Sequence, residues 1–101
     1  MKFEERVWKL TSKIPRGKVT TYGEIARKMN TKAYRLVGQS LKKNPDPVRV
    51  PCYKVVKSDG SIGGYGGTNR KNIMKKIRLL EKDGIRVRNG KIDLNKYLYR
   101  L

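Results

Sequence analysis

The chain contains no histidine and only one cysteine, Cys52. Without histidine there can be no Cys–His dyad for protease-like acyl transfer and no mixed Cys/His zinc site. With one cysteine there can be no internal disulfide. No apolar run approaches the roughly 20 residues that cross a bilayer, and the N-terminus carries no signal-peptide pattern. These absences lead us to expect an intracellular, cytoplasmic protein with no membrane partner, no structural metal and no cofactor. Acidic residues are also scarce: 8 Asp and Glu stand against 26 Lys and Arg, for a formal charge of +18 on 101 residues. Heat-adapted proteins with lysine-rich surfaces balance Lys with Glu, and this chain does not. Residues 27–54 carry Arg27, Lys28, Lys32, Arg35, Lys42, Lys43, Arg49 and Lys54 against Asp46 alone. A polyanion with an extended line of phosphates fits that distribution better than a small acidic ligand, so nucleic acid is the expected partner.

The length and the 37% hydrophobic content suit one small domain spanning residues 1–101, with no repeat and no linker. Phe3, Val7, Leu10 and Ile14 recur at helical spacing and predict a helix over 3–13, ended by Pro15-Arg16-Gly17. Lys18-Val19-Thr20 reads as extended. Thr21 and Glu24 have the capping-box spacing and open a helix to about Met29, with Ile25, Ala26 and Met29 inward. After a turn at Asn30-Thr31, a second helix places Ala33, Leu36, Val37, Ser40 and Leu41 on one face and Lys32, Arg35, Gln39, Lys42 and Lys43 on others. Two short helices joined by a tight turn, the second basic, form a helix-turn-helix pattern. Asn44-Pro45-Asp46-Pro47 stops the second helix.

Beyond it, Val48-Arg49-Val50 is expected to be extended and Val55-Val56 a strand, with a turn at Ser58-Asp59-Gly60. A third helix, capped by Thr68 or Asn69, is expected to run to about Asp83. Its apolar stripe is Ile73, Ile77 and Leu80, with Met74 beside it and Gly84 as the C′ residue. Residues 85–94 predict a hairpin turning at Asn89-Gly90, and the tail to residue 101 is expected to pack back onto the domain.

Two features point to chemistry. Ile62-Gly63-Gly64-Tyr65-Gly66-Gly67 lacks the ending of a phosphate loop and the dinucleotide fingerprint. It reads equally as a lid whose glycines admit a flat ligand beneath Tyr65, or as an ordinary turn between strand and helix. Cys52 stands in Pro51-Cys52-Tyr53-Lys54-Val55-Val56. A lone cysteine is more often inert and buried than reactive, but Lys54, Arg49 and the general positive field favour thiolate here.

The same hexapeptide resembles the Pro-Cys-His-Arg-Val signature of the O6-alkylguanine-DNA alkyltransferases, the methylated-DNA–protein-cysteine methyltransferases. Gly17-Lys18-Val19-Thr20-Thr21-Tyr22-Gly23-Glu24-Ile25-Ala26 is similar to that family's first helix-turn-helix segment. Arg35-Leu36-Val37-Gly38-Gln39 through Asn44-Pro45 is similar to its recognition helix and hinge, and Gly63-Gly64-Tyr65-Gly66-Gly67 to its substrate-pocket loop. The four motifs stand in order across about residues 3–84.

The resemblance implies an α+β fold, a winged helix-turn-helix domain that is mostly helical with short strands. It implies a monomer that binds duplex DNA containing O6-alkylguanine from the minor groove. The damaged base is flipped out, and the alkyl group passes to cysteine in one irreversible, single-turnover step. Carried over by position, Cys52 is the acceptor, and Tyr22 presses on a phosphate and helps protonate the leaving guanine. Arg35 fills the gap left in the stack, and Asn44 braces the hinge. Thr21, Lys32, Ala33 and Gln39 join Arg35, Tyr22 and Asn44 on the DNA-binding side. Tyr65, Gly64, Gly66 and Val55 line the substrate pocket.

The chain departs from the family in three ways. Tyr53 occupies the position of the relay histidine, and a phenol with a pKa near ~10 is no base at neutral pH. Asp83 stands for the relay glutamate and is expected to orient Tyr53, leaving thiolate dependent on Lys54 and the local field. The partner domain that usually precedes this one is expected to be missing. Together with the tail, these departures resemble the alkyltransferase-like proteins, which bind the lesion without transfer and recruit other DNA-repair proteins. Those relatives, however, typically carry tryptophan in place of the cysteine and lack the Gly-Gly-Tyr loop. Transfer to Cys52 is therefore the first expectation, lesion binding alone the second, and a sequence-reading winged-helix regulator the third.

Overall fold

The computed structural model describes residues 1–63 and 70–101. The chain begins with helix α1, Phe3–Thr11, which ends before the expected residue 13. Strand β1, Thr20–Thr21, leads directly into α2, Tyr22–Lys28, and α3 follows at Tyr34–Lys42. A single 3-10 turn, Cys52–Lys54, runs into strand β2, Val55–Val56. Helix α4 covers Arg70–Lys82, and the short α5 covers Leu94–Tyr97. The architecture is thus mostly helical, and among the described residues its sheet is the parallel pair β1–β2, with Thr20 opposite Val55 and Thr21 opposite Val56.

The helix-turn-helix forms because both helices end cleanly. Asn30 adopts a left-handed φ of 55°, which asparagine tolerates better than most residues. Its N–H reaches Arg27 O, and the next N–H, from Thr31, reaches Ala26 O, satisfying carbonyls that would otherwise be orphaned. The same geometry recurs at the end of α4, where Gly84 has φ of 82° and the Ile85 N–H closes on Leu80 O at 2.9 Å. The indole Nε1 of Trp8 donates to Ser40 O at 2.7 Å and ties α1 to α3.

Two apolar clusters share the interior. Val7, Ile14, Ile25, Ala26, Met29, Val37, Leu41 and Val55 form one, and Val19, Val56, Ile62, Leu80, Ile85, Ile92 and Tyr97 form the other. Successive strand residues point to opposite faces, so Val55 enters the first cluster and Val56 the second. The cysteine segment is threaded between the two cores: Cys52 packs against the first and Tyr53 against the second.

Several local expectations give way to tertiary context. Residues 47–49 form a turn rather than an extended piece, closed by Val50 N–H to Asp46 O at 2.9 Å. Asp46 also accepts from the Arg49 N–H, so a carboxylate placed to bond its own neighbourhood outcompetes a short β-prone alternation. Thr21 caps α2 by accepting from Glu24 N–H at 3.0 Å, but the box is not reciprocal. The Glu24 carboxylate instead takes Arg27 and the Leu101 N–H, because the C-terminal tail folds over it. Leu36 lies at the edge of the α3 stripe and stays half exposed, in a shallow groove beside Phe3.

The tail does pack back, through Val19 N–H to Tyr97 O and Tyr99 N–H to Val19 O. Asn89 and Gly90 both have positive φ, as a type I′ turn requires. The arm after that turn docks on the turn before the glycine-rich loop, with Ile92 N–H to Gly60 O and Ile62 N–H to Gly90 O. Gly60 has φ of 90°, and a Cβ there would lie 2.5 Å from Ile92 O. Gly60→Ala is therefore expected to lower unfolding free energy by about 1–3 kcal/mol in urea titration; an unchanged midpoint would show that the two turns do not meet this closely.

Candidate functional site

Cys52 is partly buried and opens the 3-10 turn between the two cores. Its position is set from upstream by one carbonyl. Val50 O accepts both the Cys52 N–H at 2.7 Å and the Asn44 side-chain amide at 2.6 Å. Asn44 Oδ1 in turn accepts from the Asp46 N–H at 2.9 Å, so one side chain pins both ends of residues 44–50. Asn44, expected to brace the hinge, makes both of these contacts within its own segment.

Downstream, Lys54 is buried and its ammonium is fully engaged. It lies 2.8 Å from Asp83 Oδ2 and 2.7 Å from Pro15 O. The same Asp83 oxygen accepts from Gly17 N–H at 2.9 Å. Asp83 therefore holds both Lys54 and the loop after α1. The charge of Lys54 is thus matched by a carboxylate. Tyr53 packs on the second core.

Tyr22 opens α2 and packs beside Cys52 on the first core. Burial, and then the electrostatic influence of Cys52, push its hydroxyl above the ordinary phenol value, so it keeps its proton and remains a donor. A Cβ built on Gly63 would lie 3.7 Å from the Tyr22 oxygen and 3.8 Å from the Lys57 stem, which places that hydroxyl at the entry to the glycine-rich loop. Val55 is fully buried beneath. Tyr65, Gly64 and Gly66, the other expected pocket residues, lie outside the described residues, as do the expected caps Thr68 and Asn69.

Sequence reasoning missed Lys76. Positions 73, 76, 77 and 80 follow the i, i+3, i+4, i+7 rule, so a lysine stands within the inward stripe of α4. The signal was present but belonged to the wrong residue type. Lys76 has no solvent exposure, and its ammonium donates to Val55 O at 2.9 Å. Burial pushes it down to about 8, Cys52 opposes that fall, and Lys57 adds to it. The unfolded chain holds this proton to its ordinary 10.5. The fold therefore carries a penalty at neutral pH that lifts as pH climbs from about 8 toward 10.5.

The basic face is separate from this interior. Lys32, Arg35 and Gln39 are exposed, and Arg35, Gln39 and Lys42 fall on one side of α3 by helical spacing. Ala33 is the N-cap of α3 and supplies no side-chain bond to its first turn. Thr21 is buried, and its hydroxyl is committed to capping α2. Among the described residues no group of acids and cysteine could hold a metal ion, and no helix is long and apolar enough to cross a membrane.

The chain is similar to known proteins over most of its length. Residues 2–85 match the family model described as 6-O-methylguanine DNA methyltransferase, DNA binding domain. A bifunctional methyltransferase/endonuclease of Picrophilus torridus is 46% identical over 94 residues, covering 92% of this chain and 30% of that protein. A methylated-DNA–protein-cysteine methyltransferase of Methanosarcina mazei is 42% identical over 77 residues, covering 74% of this chain and 49% of that one. The chain thus spans a third to a half of these curated relatives. Among solved structures, S. pombe Atl1 bound to damaged DNA containing O6-carboxymethylguanine superposes with a TM-score of 0.85 at 30% identity, covering 98% of this chain and 95% of that one. Mycobacterium tuberculosis OGT in complex with DNA gives 0.74 at 39% identity, over 83% of this chain and 49% of that one.

Because Asp83 closes a buried ion pair, Asp83→Asn is expected to cost about 3 kcal/mol of stability in urea unfolding. A relay role would instead slow Cys52 chemistry with stability unchanged, and that result would reverse the assignment made here.

Proposed function

The chain belongs to the family of the 6-O-methylguanine DNA methyltransferase DNA-binding domain, and from that premise we propose that it removes O6-alkyl groups from guanine in duplex DNA onto Cys52. The observation that carries this reading is the placement of Cys52: half-buried between two cores, pinned by Asn44 through Val50 O, with the protonated Tyr22 beside it.

In the step proposed, the Cys52 thiolate attacks the alkyl carbon on O6. An S–C bond forms and the C–O6 bond breaks. Its electron pair passes to the guanine, which takes a proton with Tyr22 as donor. The thioether that results has no route back to thiol, so each molecule acts once. The exposed Lys32, Arg35 and Gln39 face would meet DNA from the minor groove, with Arg35 filling the stack while the base is out. Flipping costs a few kcal/mol, which an inserted side chain and stacking in the pocket can offset.

After incubation with a duplex containing O6-methylguanine, the peptide carrying Cys52 is expected to gain one methyl group by mass, and Cys52→Ala is expected to bind DNA but abolish repair. An unmodified Cys52 despite lesion-selective binding would overturn transfer in favour of the second reading, a lesion-recognition protein that recruits other repair proteins. That reading is favoured by the end-to-end likeness to Atl1 and by Tyr53 at the imidazole position. A preference for one DNA sequence and none for the lesion would leave only a winged-helix regulator.

Arg35→Ala is expected to weaken binding to lesion DNA at least about tenfold in a fluorescence titration. Lys32→Ala should weaken lesion and normal DNA alike and reduce the slope of log affinity against log salt by about one. Equal affinity of Arg35→Ala and the parent for lesion DNA would remove Arg35 from the wedge role.

A further inference from the structure

The basic helix α3 carries one large side chain that the proposed reaction does not use. Tyr34 is its first residue and is 54% exposed, more than any other aromatic among the described residues. Its N–H closes the preceding turn on Lys32 O at 2.9 Å, but among the described residues no hydrogen bond or ring contact engages its side chain. One exposed apolar side chain is ordinary on any surface, so the setting of the ring has to decide its meaning. Leu36, exposed to a similar degree, is accounted for within the fold by the groove it shares with Phe3. Tyr34 falls on the other flank of α3, between the outward Arg35 and the buried Val37 and Leu41.

The helix leaves that ring bare. A helical side chain covers the surface over the turn before its own Cα, so residue 38 is the one placed to shield Tyr34. It is glycine, which weakens a helix interior relative to alanine. A Cβ built on Gly38 would meet nothing within 4 Å beyond its own stretch of helix, so packing inside the fold does not require glycine there. The result is an open aromatic face between two exposed cations, Lys32 and Arg35. A flat π-face among cations suits nucleic acid, whose bases stack while its phosphates take the charge. An apolar protein surface would instead meet those cations without a counter-charge.

We propose that Tyr34 is the second half of the wedge that opens the duplex: Arg35 fills the space vacated by the flipped base, and Tyr34 stacks on the base left without its partner. The inference rests on the reading of α3 as the helix that holds DNA while a base is out. Tyr34 and Arg35 are neighbours in the first turn of α3, and helical side chains lean toward the N-terminal end, so both enter the duplex from that tip. Stacking on a ring restores part of what flipping removes, and it is indifferent to sequence because every base has a π-face. The task involves neither the alkyl group nor Cys52, so it acts on affinity for opened DNA and not on the chemical step.

The probe is a duplex with one abasic site opposite 2-aminopurine, which presents the opened state without an alkyl group and with no base to flip. Its fluorescence is titrated with the parent, Tyr34→Phe and Tyr34→Ala, beside an intact duplex of the same sequence, with circular dichroism as the folding control. The parent and Tyr34→Phe are expected to quench the 2-aminopurine by stacking on it. Tyr34→Ala is expected to lose that quenching and bind the abasic duplex about tenfold more weakly, with affinity for the intact duplex within about twofold of the parent. Its slope of log affinity against log salt should equal the parent's, because stacking releases no counterions.

Equal quenching and affinity in Tyr34→Ala and the parent would overturn the assignment and leave the ring to a partner other than DNA. Tyr34→Phe binding as weakly as Tyr34→Ala would overturn it too, by giving the role to the hydroxyl on a phosphate. Equal losses on abasic and intact duplex would reduce Tyr34 to a general contact. An unmodified Cys52 after incubation with lesion DNA, with the Tyr34 effect intact, would sink the proposed transfer and leave this inference standing.

Discussion

The structure hangs on the buried ion pair between Lys54 and Asp83. Three separate stretches of chain meet there: the loop after α1 through Pro15 O and Gly17 N–H, the cysteine turn through Lys54, and the end of α4 through Asp83. Such a pair is weak evidence of net stability, because taking two charges out of water costs nearly what their attraction returns. Its effect is on geometry. A carboxylate oxygen that receives both an ammonium and a backbone N–H tolerates little displacement of either. Lys54 is two residues from Cys52, so fixing one end of the 3-10 turn fixes the other. Asn44 performs the matching task from the upstream side.

The elements that were legible in the sequence are those specified locally. Helix spacing, the Thr21 cap, Asn30 and Gly84 as left-handed terminators and the Asn89-Gly90 turn all rest on interactions within a few residues. The helix-turn-helix and the returning tail follow from them. Errors arose where distant chain decides. Glu24 has the spacing of a capping box, yet the tail from position 101 arrives to claim its carboxylate. Val48-Arg49-Val50 alternates like a strand, but no partner strand reaches it and Asp46 captures its N–H groups instead. In the site, Cys52 and Tyr22 were legible because their residue types carry chemistry in a recognisable order. Asp83 stands by position where the resembling family has its relay glutamate, and only the fold shows that it lies 2.8 Å from Lys54.

Lys76 illustrates the limit most clearly. Periodicity puts it inside, and composition rules put lysine outside, so a reader of sequence discards the position as the edge of a stripe. A buried lysine costs the fold stability at neutral pH, and such a cost persists where something else requires the charge. The carbonyl of Val55 satisfies one of its protons.

The scarcity of acid then takes on a second meaning. Glu24, Asp46 and Asp83 pair with cations, while Glu5, Asp59 and Asp93 accept backbone N–H groups at turns and helix starts. Six of the eight carboxylates therefore have structural work inside or along the chain, which leaves few to neutralise the 26 cations. A surface so unbalanced repels itself, and that repulsion opposes the compact state. Phosphates laid along it would relieve the repulsion as well as supply contacts, so DNA would bind the folded form with the added gain of a stress removed. On this view the net charge belongs to the encounter with DNA. The exposed Arg35 on α3 and Lys32 just before it lie in water, whereas Lys76 is buried against the Val55 carbonyl.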